Sequence, residues 1–184
     1  MNTRRVSGFS ILILLCSLVT APFSSAGEAV RLKGSGASFP FPLYGRWFKE
    51  YGKAHRNVII NYQAKGSGAG IRDFMNKTVD FAASDAAMSD KEMAQVGRGV
   101  QLVPVVAGSI ILAYNFDGFG GELKLTRDVY VDIFEGKIKT WSDPRIKQTN
   151  PDLKLPKDDL VIAVRQDSSG TTYAFTNHLS ALCS

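Results

Sequence analysis

Three short segments of the sequence pair glycine with hydroxyl side chains just ahead of a helix-like run. They are Gly34-Ser35-Gly36-Ala37-Ser38-Phe39, Gly66-Ser67-Gly68-Ala69-Gly70 and Asp167-Ser168-Ser169-Gly170-Thr171-Thr172. A helix N-terminus leaves backbone N–H groups unpaired and carries partial positive charge. Glycine lets that backbone approach an anion, and Ser or Thr adds a hydroxyl donor. The chemistry such turns suit is the holding of a small oxyanion without many cationic side chains. One such turn alone also reads as an ordinary helix cap. Nucleotide motifs do not fit: Ile71 stands where a dinucleotide fingerprint needs its third glycine, and no Gly-Lys-Ser/Thr ending of a P-loop occurs. Two charges lie beside these turns. Arg165, just before the third, could offer paired donors to a phosphate or sulfate, or could serve a salt bridge with Asp167. Asp85, in Ala83-Ser84-Asp85-Ala86, could equally be a helix cap.

The elements that must position these groups alternate between strand-like and helix-like, which argues for an α/β protein. Strands are expected at 30–33, 58–62 (VIINY, β-branched and therefore buried), 80–83, 101–106, 109–114 and 161–164. Helices are expected at 42–55, with Leu43, Trp47, Phe48 and Tyr51 on one face, and at 71–76. Ser89-Asp90-Lys91-Glu92 has the form of a capping box opening another. Thr126 can cap a helix to Phe134 with Val129 and Ile133 inward, and 171–182 forms the last helix. The stretch 143–159 holds Pro144, Pro151 and Pro156 and reads as a mostly irregular surface connection.

Composition sets the class. In 184 residues, 45% are hydrophobic and 21% charged, the range of a soluble globular protein. The net charge of +5 suits an anion-handling protein, yet no basic run exceeds Arg4-Arg5, so nucleic acid is not an expected partner. Arg4 and Arg5, the apolar stretch 9–19 and Ser24-Ser25-Ala26 together form an export signal, with cleavage expected after Ala26. Removal of that segment takes Cys16 with it and leaves Cys183, so no internal disulfide is expected. His55 and His178 lie far apart and show no ligand spacing, and neither a metal nor another cofactor is expected.

Six strings, in order, carry a resemblance. They are Lys33-Gly34-Ser35-Gly36-Ala37-Ser38-Phe39-Pro40, Tyr62-Gln63 leading to Gly66-Ser67-Gly68, Asp80-Phe81-Ala82-Ala83-Ser84-Asp85, Gly136-Lys137-Ile138-Lys139-Thr140-Trp141, Asn150-Pro151-Asp152-Leu153-Lys154-Leu155-Pro156, and Arg165-Gln166-Asp167-Ser168-Ser169-Gly170-Thr171. The sequence resembles, across essentially all of residues 27–184, the periplasmic phosphate-binding proteins of high-affinity phosphate ABC transporters. The resemblance implies a type II periplasmic-binding fold of two α/β lobes, 27–105 and 106–184, closing on the ligand. It implies a non-enzymatic, monomeric, periplasmic protein that hands inorganic phosphate to a membrane permease with its ATPase. For the site, it implies hydroxyl donors Ser38 and Ser67, the Phe39 backbone N–H, Asp85 as acceptor and Arg165 as donor. Asp167 would hold the guanidinium, and Ser169, Gly170 and Thr171 would complete the cradle. Ser38 stands where the family often has Thr, and the hydroxyl is kept.

A carboxylate beside an anion normally repels it. Asp85 becomes favourable only if the ligand brings a proton, which phosphate does near neutral pH and sulfate does not. Other readings are a binding protein for sulfate or molybdate, a secreted phosphatase, and a surface adhesion protein on the same fold. Against the phosphatase stand the missing Gly-x-Ser-x-Gly elbow and the lack of a His near any Gly-Ser turn. Family members are considerably longer, and Ala181-Leu182-Cys183-Ser184 departs from their usual continuation. The expectation is a chain incomplete at its C-terminus, with every named ligand kept but part of the scaffold missing, weak in binding and marginal in stability.

Overall fold

The computed structural model of the chain describes residues 28–116 and 121–183. The expected export signal, 1–26, lies outside the described residues. Three parallel strands form the one sheet among the described residues: β1 (Val30–Gly36), β2 (Val58–Ala64) and β3 (Phe81–Ala83), in the order β2-β1-β3. Helix α1 (Phe41–Ala54) connects β1 to β2, and α2 (Ser67–Met75) connects β2 to β3. The register sets Gly34 opposite both Tyr62 and Phe81. That place must be glycine, because a Cβ there would overlap the Phe81 ring. The Phe81 ring in turn stacks on that of Tyr62, with centroids 6.0 Å apart.

Helix α1 carries Pro42 in its first turn, where a missing N–H costs nothing. Its expected inward face is only partly right. Tyr44 and Phe48 meet the rings of Tyr62 and Phe81, whereas Trp47 remains 46% exposed and Tyr51 stays outside with it. A three-stranded sheet is a narrow platform and covers only part of a helix. For the same reason β2 is not the buried strand its β-branched run suggests. It lies at the sheet edge, and its side chains are mostly exposed apart from Tyr62.

Beyond the sheet, α3 (Asp90–Ala94) opens with the expected capping box: Ser89 Oγ accepts from Glu92 N, and the Glu92 carboxylate accepts from Ser89 N at 2.8 Å. Ile71, Met88 and Val96 form a small core here, joined by Phe74, Met75, Met93 and Val100. A second core gathers Val129, Ile133, Ile138 and Ile146. It is built on α4 (Arg127–Phe134) and α5 (Pro144–Thr149). Val129 and Ile133 point inward as expected, but the Thr126 side chain makes no capping bond. Asp143 does cap α5, so the stretch expected to be mostly irregular contains a helix. Asn150 latches this core: its amide donates to Lys124 O and Ile146 O, and its Oδ1 accepts from Lys124 N. Helix α6 (Gly170–Leu182) touches α4 through Phe134 and Phe175, edge to face at 4.8 Å.

Three expected strands are absent. Residues 101–106, 109–114 and 161–164 carry strand-like sequence, yet none joins a sheet among the described residues. Most of their apolar side chains lie outside, with Ile111 at 79% and Val161 at 84% exposure, while Ile162 packs against the second core. A strand completes its hydrogen bonds only through another strand, and no described residue supplies that ladder here.

Candidate functional site

Because β1, β2 and β3 are parallel, the turns leaving all three emerge at one edge of the sheet. Ser38 follows β1, Ser67 follows β2 and Asp85 follows β3. The order β2-β1-β3 sends successive connections away from β1 in opposite directions, and ligands of open α/β sheets settle in the crevice at such a reversal. Two glycines build this edge. Gly36 has φ +138 and lies so close to Ala83 that a Cβ would overlap the Ala83 carbonyl oxygen. Its own carbonyl accepts from both Lys65 N and Gly66 N at 2.9 Å, tying the ends of β1 and β2 together. Gly66 has φ +91 and turns the chain directly into α2.

The third turn comes from more than 80 residues away in sequence and locks onto the second, with Gly68 N donating to Ser168 O at 3.1 Å. Gly170 fits against Ser67 and Asp85, and a Cβ there would overlap the Ser67 hydroxyl. Thr171 Oγ1 donates to Asp85 Oδ2 at 3.0 Å, and Asp85 N donates to Ser67 Oγ at 3.2 Å. Ser67, Asp85, Gly170 and Thr171 therefore form one cluster, at the N-terminal ends of α2 and α6.

Arg165 forms a two-pronged pair with Asp167, whose carboxylate crowds Gly66: a Cβ there would stand 2.6 Å from Asp167 Oδ2. The guanidinium holds the Asp167 carboxyl below the usual aspartate range. Asp167 in turn raises the Arg165 pKa, with the Asp85 charge adding to it. Ser169 spends its hydroxyl on its own helix, accepting from Thr172 N at 3.1 Å. Ser38 and Phe39 sit in the neighbouring turn. Among the described residues neither the Ser38 hydroxyl nor the Phe39 amide makes a hydrogen bond, and the Phe39 ring rests against Gly108. His55 stacks on Tyr51, and His178 pairs with Tyr130 at 2.8 Å; neither contacts these residues.

Reading the sequence missed the parts of Gly36, Gly66, Gly68 and Ser168. The glycines were visible in the motifs, but that each is fitted to a partner on another turn is a three-dimensional fact. Tyr62 was also missed: its phenol donates to Ala37 O at 2.7 Å, in the turn that carries Ser38. The available signal was an aromatic residue with a hydroxyl at the far end of an apolar strand, opposite a glycine.

A parallel sheet whose C-terminal edge gathers helix N-termini, hydroxyls, an arginine and one carboxylate is the kind of edge at which open α/β folds hold ligands. The PBP superfamily domain matches residues 23–183, and the chain belongs to that superfamily. It is 42% identical over 167 residues to the phosphate-binding protein PstS of Haemophilus influenzae, covering 90% of this chain and 48% of that one. To PstS of Xylella fastidiosa (strain 9a5c) it is 40% identical over 162 residues, 88% of this chain and 44% of that one. The chain thus spans about half the length of these curated relatives. Among solved structures, it is similar to a phosphate ABC transporter substrate-binding protein with bound phosphate from Clostridium perfringens. The TM-score is 0.59 at 21% identity, over 81% of this chain and 56% of that one. An ABC-type phosphate transport receptor from Vibrio cholerae gives a TM-score of 0.51 at 19% identity, over 81% and 55%. At these identities the structural likeness concerns the fold.

Proposed function

We propose that this chain captures inorganic phosphate, as the substrate-binding component of a phosphate ABC transporter, and catalyses nothing. The observation that carries the reading is the convergence of Ser67, Asp85, Gly170 and Thr171 from three separate turns onto one point. The names of the curated relatives support the same ligand. On this reading Ser38, Ser67 and Thr171 donate hydroxyl bonds, Phe39, Ser169 and Gly170 donate backbone N–H bonds, and Arg165 supplies the positive charge. Thr171 exchanges its bond to Asp85 for one to the anion. Asp85 then accepts a hydrogen bond from the P–O–H group that phosphate carries. Sulfate brings no such group, so the Asp85 carboxylate would meet it as a like charge with no hydrogen bond to accept.

The wider reading follows from the same class of protein. The chain is exported through its N-terminal segment, acts as a monomer in the periplasm and delivers phosphate to a permease with its ATPase. The two separate cores, one within 71–100 and one within 123–162, support two lobes at 27–105 and 106–184 that close by a hinge.

The test is a thermal melt of residues 27–184 with phosphate or sulfate at matched ionic strength. With phosphate 100-fold above its dissociation constant, the midpoint should rise by roughly 5–10 °C. Sulfate should leave it unchanged, and Asp85→Asn should erase the preference. A rise with both anions would point to a less selective oxyanion binder. A cooperative melt indifferent to both would sink the reading, as would hydrolysis of a chromogenic phosphate ester.

A further inference from the structure

Tyr62 lies on β2, outside every group assigned above to the anion. It is the one β2 residue whose side chain is buried, at 9% exposure. Its ring is held on several sides. Phe81 stacks on it at 6.0 Å, Phe41 stacks at 6.3 Å, and Tyr44 meets it edge-on at 5.2 Å. Gly34, across the register, leaves the room that the Phe81 ring needs for this stack. A ring fixed this firmly has little freedom in where its hydroxyl points. That hydroxyl donates to Ala37 O at 2.7 Å, while Ala37 N donates to Ala83 O at 2.8 Å. Both polar groups of Ala37 are therefore pinned, one by β3 and the other by the phenol.

In a trans peptide the carbonyl and the following N–H point in opposite directions within one plane. Fixing the Ala37 carbonyl therefore fixes the plane that begins Ser38. From there the Ser38 hydroxyl and the Phe39 N–H project, and neither has a partner among the described residues. Burial pushes the phenol's pKa well up, with the charges of Tyr44 and Asp85 adding to it, so the hydroxyl remains a donor throughout the physiological range.

We infer that Tyr62 is a positioning residue: its hydroxyl, acting through the Ala37 carbonyl, aims the Ser38 and Phe39 donors at the anion. The inference rests on the phosphate reading for the identity of the ligand, but not for the aiming itself. Ala37, Ser38 and Phe39 are set in place by Tyr62 whether or not phosphate is the ligand.

The experiment compares Tyr62→Phe with Tyr44→Phe in the isotope-labelled chain. Tyr44 belongs to the same ring cluster, and its hydroxyl bonds to no described residue. Tyr62→Phe should shift the Ala37 carbonyl carbon and the Ser38 amide nitrogen and weaken phosphate binding about tenfold, the scale of one lost hydrogen bond. Tyr44→Phe should do neither. A third variant, Tyr62→3-fluorotyrosine, keeps the ring and makes the hydroxyl a stronger donor. It should move the Ala37 carbonyl in the opposite direction to Phe, and it guards against a Phe variant that fails to fold. Unchanged Ala37 and Ser38 signals in the Phe and fluorinated variants would overturn the inference. So would unchanged phosphate affinity in a Tyr62→Phe chain whose parent binds. A parent that binds no phosphate would remove the ligand assignment, and the Ala37 and Ser38 shifts would then decide the aiming alone.

Discussion

Residues 28–100 and residues 101–183 are built from similar sequence material and arrive at different results. The first region turns its β-branched runs into a parallel sheet with strands in register. The second contains equally strand-like runs at 101–114 and 161–164, yet none of them joins a sheet, and most of their side chains are exposed, Ile162 excepted. Most of what folds in the second region is helical: α4 and α5, which enclose Ile138 and Ile146 together, and α6 beside them. A helix satisfies its backbone within its own segment, whereas a strand depends on a neighbour. Order in the second region therefore follows the elements that need no distant partner.

The largest test of this contrast is Gly36→Ala. The positive φ and the overlap with Ala83 O act together, and the loss should be about 4 kcal/mol in chemical denaturation. Its counterpart is Gly136→Ala, at φ +74 with open space around it, where about 1 kcal/mol is expected. Equal losses at the two glycines would mean that the sheet edge is not the tightly fitted part of the molecule. Next comes Ile146→Ala. This side chain is 0% exposed in the second core, and about 3 kcal/mol should be lost. A loss below about 1 kcal/mol would show that the second region has no cooperative core, and the two regions would differ far more than described here.

Acid should act more gently, and on both regions. Asp73 in the first is held low by its bonds from Lys65 and Ser35; Asp143 in the second is held low by Arg145. A depressed folded pKa contributes stability that is complete above the ordinary aspartate range, near pH 4. That contribution fades as pH falls through the lower folded value. Asp73→Asn and Asp143→Asn should each flatten the decline of stability below about pH 4 and leave the slope at pH 6–8 unchanged. A steeper decline in either variant would reverse the sign of the argument.

Local signals carried much of this architecture in the sequence. The capping box at Ser89, the inward Val129 and Ile133, and the last helix all depend on residues within one or two turns of each other. The site was legible as parts: three glycine-hydroxyl turns, an arginine and a carboxylate. That Ser67, Asp85, Gly170 and Thr171 meet, and that Ser38 stands one turn aside, required the β2-β1-β3 order, which no local pattern encodes. The failures share one cause. VIINY at 58–62 and the run at 161–164 read as buried strands, and 101–106 and 109–114 as strands, from their composition, but pairing and burial belong to the packed neighbourhood and not to the segment.

Val161→Thr sets the smallest effect against that reading. Valine and threonine have nearly the same shape, but a hydroxyl placed in a core without a partner is costly. If 161–164 were the buried strand its composition suggests, the change should cost about 1–3 kcal/mol. At 84% exposure the new hydroxyl meets water, and stability should stay within about 0.5 kcal/mol of the parent. The same substitution thus distinguishes a segment that has found its sheet from one that has the sequence for a sheet and no strand to join. A near-zero change at Val161 beside the loss expected at Ile146 would place the boundary between ordered core and unpaired strand inside the second region, between α5 and the start of α6.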